Sequence, residues 1–115
     1  MSYMLLIVEP QGQRDTRTLQ QGKDVYQRML DYTESLRTQG VLIDSNSLNR
    51  NATRLNKRDG KAVVVDGPFT EAKELIGGFF LLNCRTRDEA LRHARECPAA
   101  EWATVEVRGV GPCYE

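Results

Sequence analysis

Three carboxylates stand where strand ends or turns would hold them for acid–base work: Asp66, Glu74 and Glu106. Asp66 opens the tetrapeptide Asp66-Gly67-Pro68-Phe69 at the exit of an apolar run, where a carboxylate could serve as a general base at a pocket mouth. The competing reading is an Asx-type turn, with the carboxylate accepting the N–H groups around Gly67 and Phe69. Glu71, Lys73 and Glu74 follow within a short segment. There Lys73 could anchor an anion and Glu74 accept a proton, or the three could be solvated and locally paired. Glu106 lies between Val105 and Val107. If the valines pack under helices, Glu106 and Arg108 face the opposite side of the sheet, either as acid–base and binding groups or as an ion pair between strands or subunits. Phe69 reads as a core or pocket-wall residue. Gly67, Pro68, Gly77 and Gly78 set backbone shape.

Other chemistries find little support. The one histidine, His93, flanks the apolar stripe of a helix between Arg92 and Arg95 and reads as a surface or boundary residue. No histidine, cysteine and carboxylate residues share a metal-ligand spacing, so neither a metal nor another cofactor is expected. The three cysteines, Cys84, Cys97 and Cys113, are an odd number and fit a reducing cytoplasm better than a disulfide framework. Cys84 and Cys97 read as buried, and Cys113 as the exposed thiol.

The 115 residues suffice for one domain, 1–115. Sixteen basic residues balance sixteen acidic ones, so no net field draws the chain to nucleic acid or to an anionic membrane. The opening apolar run Tyr3–Val8 lacks a preceding basic region and is too short to span a bilayer. It reads as a central strand buried on both faces.

Thr18 and Gln21 have capping-box spacing. Leu19, Val25, Tyr26, Met29, Leu30, Thr33 and Leu36 then recur on one helical face, with Gly40 at the left-handed C-terminal position, so a helix is predicted from Leu19 to Gln39. Val41–Asp44 is a second strand. Asp59-Gly60 between Arg54–Arg58 and Lys61–Val65 predicts a hairpin closed by a type I′ turn, its polar first arm facing solvent. The segment Thr70–Ile76 is predicted as a single helical turn or a loop, and Gly77–Leu82 as a strand. Thr86 and Glu89 open a second helix with Ala90, Leu91, Ala94 and Cys97 inward, Pro98 ends it, and Thr104–Arg108 forms the last strand.

This order is an α+β, ferredoxin-like split βαβ with an inserted β-hairpin, an antiparallel sheet and both helices on one face. The other face is too apolar to stay wet, and a homodimer packing sheet against sheet would cover it.

Asp66-Gly67-Pro68-Phe69, with Lys73-Glu74 and Gly77-Gly78-Phe79 downstream, resembles the YCII-related family, in particular its DGPF subgroup. Tyr3–Ile7, Gly40–Leu42, Asp88–Leu91, Cys97–Ala100 and Val105–Arg108 extend the resemblance over most of the chain. It implies the dimeric α+β barrel superfamily, which hosts cofactor-independent oxygenases, lactone isomerases and haem-dependent members, so fold alone selects no reaction. It also implies a cleft holding a histidine–aspartate pair, from which this sequence departs, since His93 falls within the second helix. The DGPF branch further implies an association with extracytoplasmic sigma factors. Two functions follow as expectations. One is a small-molecule-binding protein with its cleft near the DGPF motif, where Asp66, Glu74 or Glu106 could carry cofactor-free chemistry. The other is a non-enzymatic regulatory or interaction module.

Overall fold

The structure is a computed structural model that describes residues 2–114. Its strands are β1 (Tyr3–Pro10), β2 (Leu42–Ser47), β3 (Thr53–Arg58), β4 (Lys61–Asp66), β5 (Glu74–Leu82) and β6 (Thr104–Gly109). The helices are α1 (Leu19–Thr38) and α2 (Arg87–Glu96), and 3-10 turns occupy Gln13–Thr16 and Pro98–Glu101. β2, β5, β1 and β6 form one antiparallel sheet in that order, the predicted ferredoxin-like arrangement. β3 and β4 form a separate two-stranded sheet in which every residue is exposed.

Local signals set the element ends. Thr18 and Gln21 make the reciprocal capping box. Gly40 takes the left-handed backbone at φ 75°, which ends α1 at little steric cost. Asp59 (φ 53°) and Gly60 (φ 77°) both adopt the positive φ that a type I′ turn requires. One prediction fails here. Glu74–Ile76 already belongs to β5, because pairing with Pro10, Glu9 and Val8 of β1 outweighs the weak strand preference of a charged segment.

The core lies between the sheet and the helices. Leu5, Ile7, Phe80 and Leu82 meet Tyr32 and Leu36 of α1 and Ala90 and Ala94 of α2. The Tyr32 ring meets Phe80 edge to face at 5.2 Å, and its hydroxyl donates to the His93 carbonyl at 2.6 Å. His93 is 2% exposed, a core residue and not the surface or boundary residue expected from sequence. In α2 the buried positions are Ala90, His93 and Ala94, continued by Cys97 at the C-cap, an i, i+3, i+4, i+7 face. His93 takes the place expected for Leu91, which is half-buried.

Alternation along β1 sends Met4, Leu6 and Val8 to the other face of the sheet, opposite Leu81, Phe79 and Ile76 of β5. Among the described residues, no element covers this apolar face. On α1 only Tyr32 and Leu36 are fully buried, while Leu19, Tyr26 and Leu30 are 77%, 52% and 43% exposed. The N-terminal half of the helix therefore stands off the sheet, and its apolar stripe forms a wall of a hollow.

Burial governs the thiols. It pushes Cys97 up to about 11 and also raises Cys84, whereas Cys113 is exposed. Iodoacetamide applied to native protein near pH 8 should thus label Cys113 alone, as read by peptide mass mapping. Labelling of Cys97 as fast as Cys113 would contradict this core.

Candidate functional site

Leu5, Ile7 and Glu9 share the core-facing side of β1, so the strand carries a carboxylate into the space under α1. Glu9 is 6% exposed. Burying a charge there without a partner would be costly, and Arg14 supplies one. The Arg14 Nε donates to Glu9 Oε2 at 2.9 Å and Nη2 donates to Oε1 at 2.7 Å, a two-point clamp. The 3-10 turn Gln13–Thr16 makes this reach possible by folding Arg14 back over the strand it has just left.

Gly77 is the matching device on β5. The β1–β5 register skips one residue between Ile7↔Gly78 and Val8↔Ile76, leaving Gly77 as a β-bulge. A Cβ at Gly77 would fall 1.8 Å from Glu9 Oε1, so the carboxylate occupies the space that any other residue would fill. Gly78 is needed for close strand approach, since its Cβ would sit 3.0 Å from the Asn46 carbonyl oxygen of β2.

Two hollows meet at this ion pair. The larger, about 940 Å³, is the cleft between α1 and the sheet; Tyr26 and Met29 of α1 and Trp102 wall it, with Glu9 and Arg14 within. The smaller, about 790 Å³, lies beside the DGPF turn and is lined by Phe69, Arg54, Glu74 and the same Glu9 and Arg14. Gln11 joins the turn to β1. Its Nε2 donates to the Phe69 carbonyl at 3.0 Å and its backbone N–H to the Lys73 carbonyl at 2.8 Å.

The residues singled out from sequence are spread over three regions. Asp66 ends β4, where it accepts the Thr53 hydroxyl at 2.6 Å across the hairpin. That cross-strand bond replaces the expected turn contacts to the N–H groups of Gly67 and Phe69; the Gly67 N–H donates to Ala52 instead, at 2.8 Å. Pro68 follows a cis peptide bond and lines the smaller hollow. Phe69 is a half-buried wall of that hollow, with the Arg54 guanidinium 3.9 Å from its ring centre. Glu71 pairs with Arg54 at 3.6 Å, and Lys73 is exposed beyond it. Glu74 and Phe69 are therefore brought together, with Glu71 nearby.

Glu106 and Arg108 are not in that region. Val105 and Val107 pack against the core, which puts Glu106 and Arg108 on the open face, opposite Leu6 and Met4. Asp66, Glu74 and Glu106 accordingly do not form one catalytic group. Sequence reasoning missed Glu9, Arg14 and the reason for Gly77. The period-2 pattern Leu5, Ile7, Glu9 was the available signal for the first, but ending the opening strand at Val8 left Glu9 outside it. Among the described residues, no three histidines, cysteines or carboxylates are gathered as a metal would need. No helix among them is long and apolar enough to cross a membrane.

The YCII-related domain family matches residues 1–113. The chain belongs to this family. A protein of Rhizobium meliloti (strain 1021), described as uncharacterized, is 44% identical over 59 residues. That match covers 50% of this chain and 48% of the relative, about half of its length. The 5-chloro-2-hydroxyhydroquinone dehydrochlorinase TftG of Burkholderia phenoliruptrix AC1100, solved in complex with 2,5-dihydroxybenzoquinone, has the same fold at a TM-score of 0.57. It is 15% identical, with 96% of this chain and 94% of that one aligned. This places the chain in the fold of the dimeric α+β barrels. The histidine–aspartate pair that family resemblance implies is not formed. His93 is in the core, and the cleft holds Glu9 and Arg14.

Removing Arg14 would leave a buried carboxylate uncompensated. Arg14→Ala should therefore lower unfolding free energy by about 3 kcal/mol in urea titration. Gly77→Ala should also destabilise by displacing Glu9, and much less so in a Glu9→Ala background. Simple additivity of Gly77→Ala and Glu9→Ala would show that the two positions do not compete for one space.

Proposed function

We propose that this protein binds a small molecule in the cleft between α1 and the sheet, and that binding rather than acid–base turnover is its primary activity. The observation that carries this reading is the half-lifted α1, whose apolar residues wall a hollow with a clamped ion pair inside. A hollow of about 940 Å³ is of the size that takes a drug-sized ligand. Glu9, with both oxygens engaged by Arg14, is positioned as a fixed acceptor and is poorly placed to remove a proton. The complex of the structural neighbour with a dihydroxybenzoquinone supports the reading as an instance of small-molecule binding on this fold. The same proposal includes membership of the DGPF subgroup, supported by the Asp66–Phe69 sequence, and a cytoplasmic location, supported by the odd number of cysteines.

The chain contains one tryptophan, Trp102, which lines the cleft. Protein purified from its own host should carry a reproducible small adduct in native mass spectrometry. Gly22→Phe should remove it while leaving the fold intact, since a Cβ there meets nothing within 4 Å and Gly22 lines the cleft. A bare protein with no adduct would favour the second reading, an interaction module working with an extracytoplasmic sigma factor. The observation on its side is the protruding hairpin, where Leu55 and Val64 are 62% and 58% exposed.

The assembly we propose is a homodimer formed through the open sheet face. Met4, Leu6, Phe79 and Leu81 would pack against their symmetry copies, with Glu106 and Arg108 closing the rim. Leu6→Asp should convert a dimer to a monomer in analytical ultracentrifugation without loss of helical circular dichroism. A wild-type monomer, or an unchanged dimer in Leu6→Asp, would place the interface elsewhere.

A further inference from the structure

We propose that the ligand of the cleft is an aromatic organic acid, recognised by Arg17 and Lys23 at the cleft wall and by the rings of Trp102 and Tyr26; this rests on the cleft being the binding site. The two hollows differ in their charge balance. Four cations line the cleft, Arg14, Arg17, Lys23 and Arg37, against one carboxylate, Glu9. Arg14 is clamped to Glu9, and Arg37 is paired with Glu34. Among the described residues, Arg17 and Lys23 have no carboxylate within 4 Å. A neutral or cationic ligand closing over them would strip water from two uncompensated charges, whereas an anion would neutralise them.

The smaller hollow offers no such vacancy. Its three arginines are matched one to one: Arg14 with Glu9, Arg50 with Asp15, and Arg54 with Glu71. An acid therefore has reason to enter the cleft and not the hollow beside the DGPF turn. The rings decide the rest of the ligand. Trp102 and Tyr26 with Met29 offer flat, polarisable walls. The Arg17 guanidinium lies 5.8 Å from the Trp102 ring centre, so a carboxylate held by Arg17 would carry its own ring alongside the indole.

Trp102 fluorescence makes the test specific to this site. The full-length protein would be titrated near neutral pH with 1-naphthoate and with its neutral analogue 1-naphthamide, by calorimetry and by quenching of Trp102. Naphthoate should bind once per protomer and quench Trp102, with the amide at least about tenfold weaker. Arg17→Gln/Lys23→Gln should weaken naphthoate about tenfold or more and leave the amide unchanged, and added salt should weaken the acid alone. Equal binding of acid and amide, both quenching Trp102, would overturn the choice of an acid and leave the cleft as the binding site. Naphthoate binding that Arg54→Gln abolishes and the double variant does not would move the anion site to the smaller hollow and overturn the proposal. If neither probe binds, both the proposal and the cleft reading fall.

Discussion

A carboxylate buried in an otherwise apolar layer is the constraint around which the rest of the molecule is arranged. Glu9 occupies the core-facing side of the central strand, where an unneutralised charge would cost several kcal/mol. Its neutralisation requires Arg14, which requires the chain to fold back at once through the Gln13–Thr16 turn. Its volume requires a glycine opposite, and Gly77 sits there in a bulge. Each of these features is unremarkable alone. Together they make one unit, spanning the strand β1, the turn after it and the strand β5.

The same unit explains why α1 leaves the sheet. Beyond Tyr32 and Leu36 the helix faces a mixed floor, in which Glu9, Arg14 and the β2 residues Ser45 and Ser47 lie beside Ile7 and Phe80. A helix cannot bury Tyr26 and Leu30 against charged and hydroxyl groups without stripping their water. The result is a cleft with an apolar wall on the helix, a partly polar floor on the sheet and a cationic surplus. Stability and binding are thereby coupled, since the pair that anchors the fold also lines both hollows.

The remaining exposed apolar surface falls in two places. On the open sheet face, side chains of β1 and β5 alternate with those of the core, with one break at the Gly77 bulge, and Met4, Leu6, Phe79 and Leu81 make it apolar. The hairpin differs. Its two strands pair only with each other, and Val63, Val64 and Val65 are 45%, 58% and 47% exposed. A two-stranded hairpin gains little stability by itself. Its anchors are the Thr53–Asp66 bond at its base and the Arg54 contact with Phe69, which tie it to the DGPF turn.

Element identities were legible because they rest on local physics. The capping box of Thr18 and Gln21, the left-handed Gly40, the Asp59-Gly60 turn and the alternation of Val105, Glu106 and Val107 each act over a few residues. Their order also limited the sheet to the ferredoxin-like arrangement that the structure shows. What sequence could not disclose is which side chains meet across the fold. Glu9 and Arg14 are five residues apart, yet their role depends on a glycine more than sixty residues further on. His93 is buried and Leu91 only half-buried, a distribution set by how α2 packs against the sheet and Tyr32. Asp66 and Glu106 are both acid–base candidates by sequence, but strand pairing sends one to a hairpin and the other to the open face. Local structure follows from short-range steric and hydrogen-bonding preferences; a site follows from desolvation and charge pairing between distant segments, which exist only once the chain has folded.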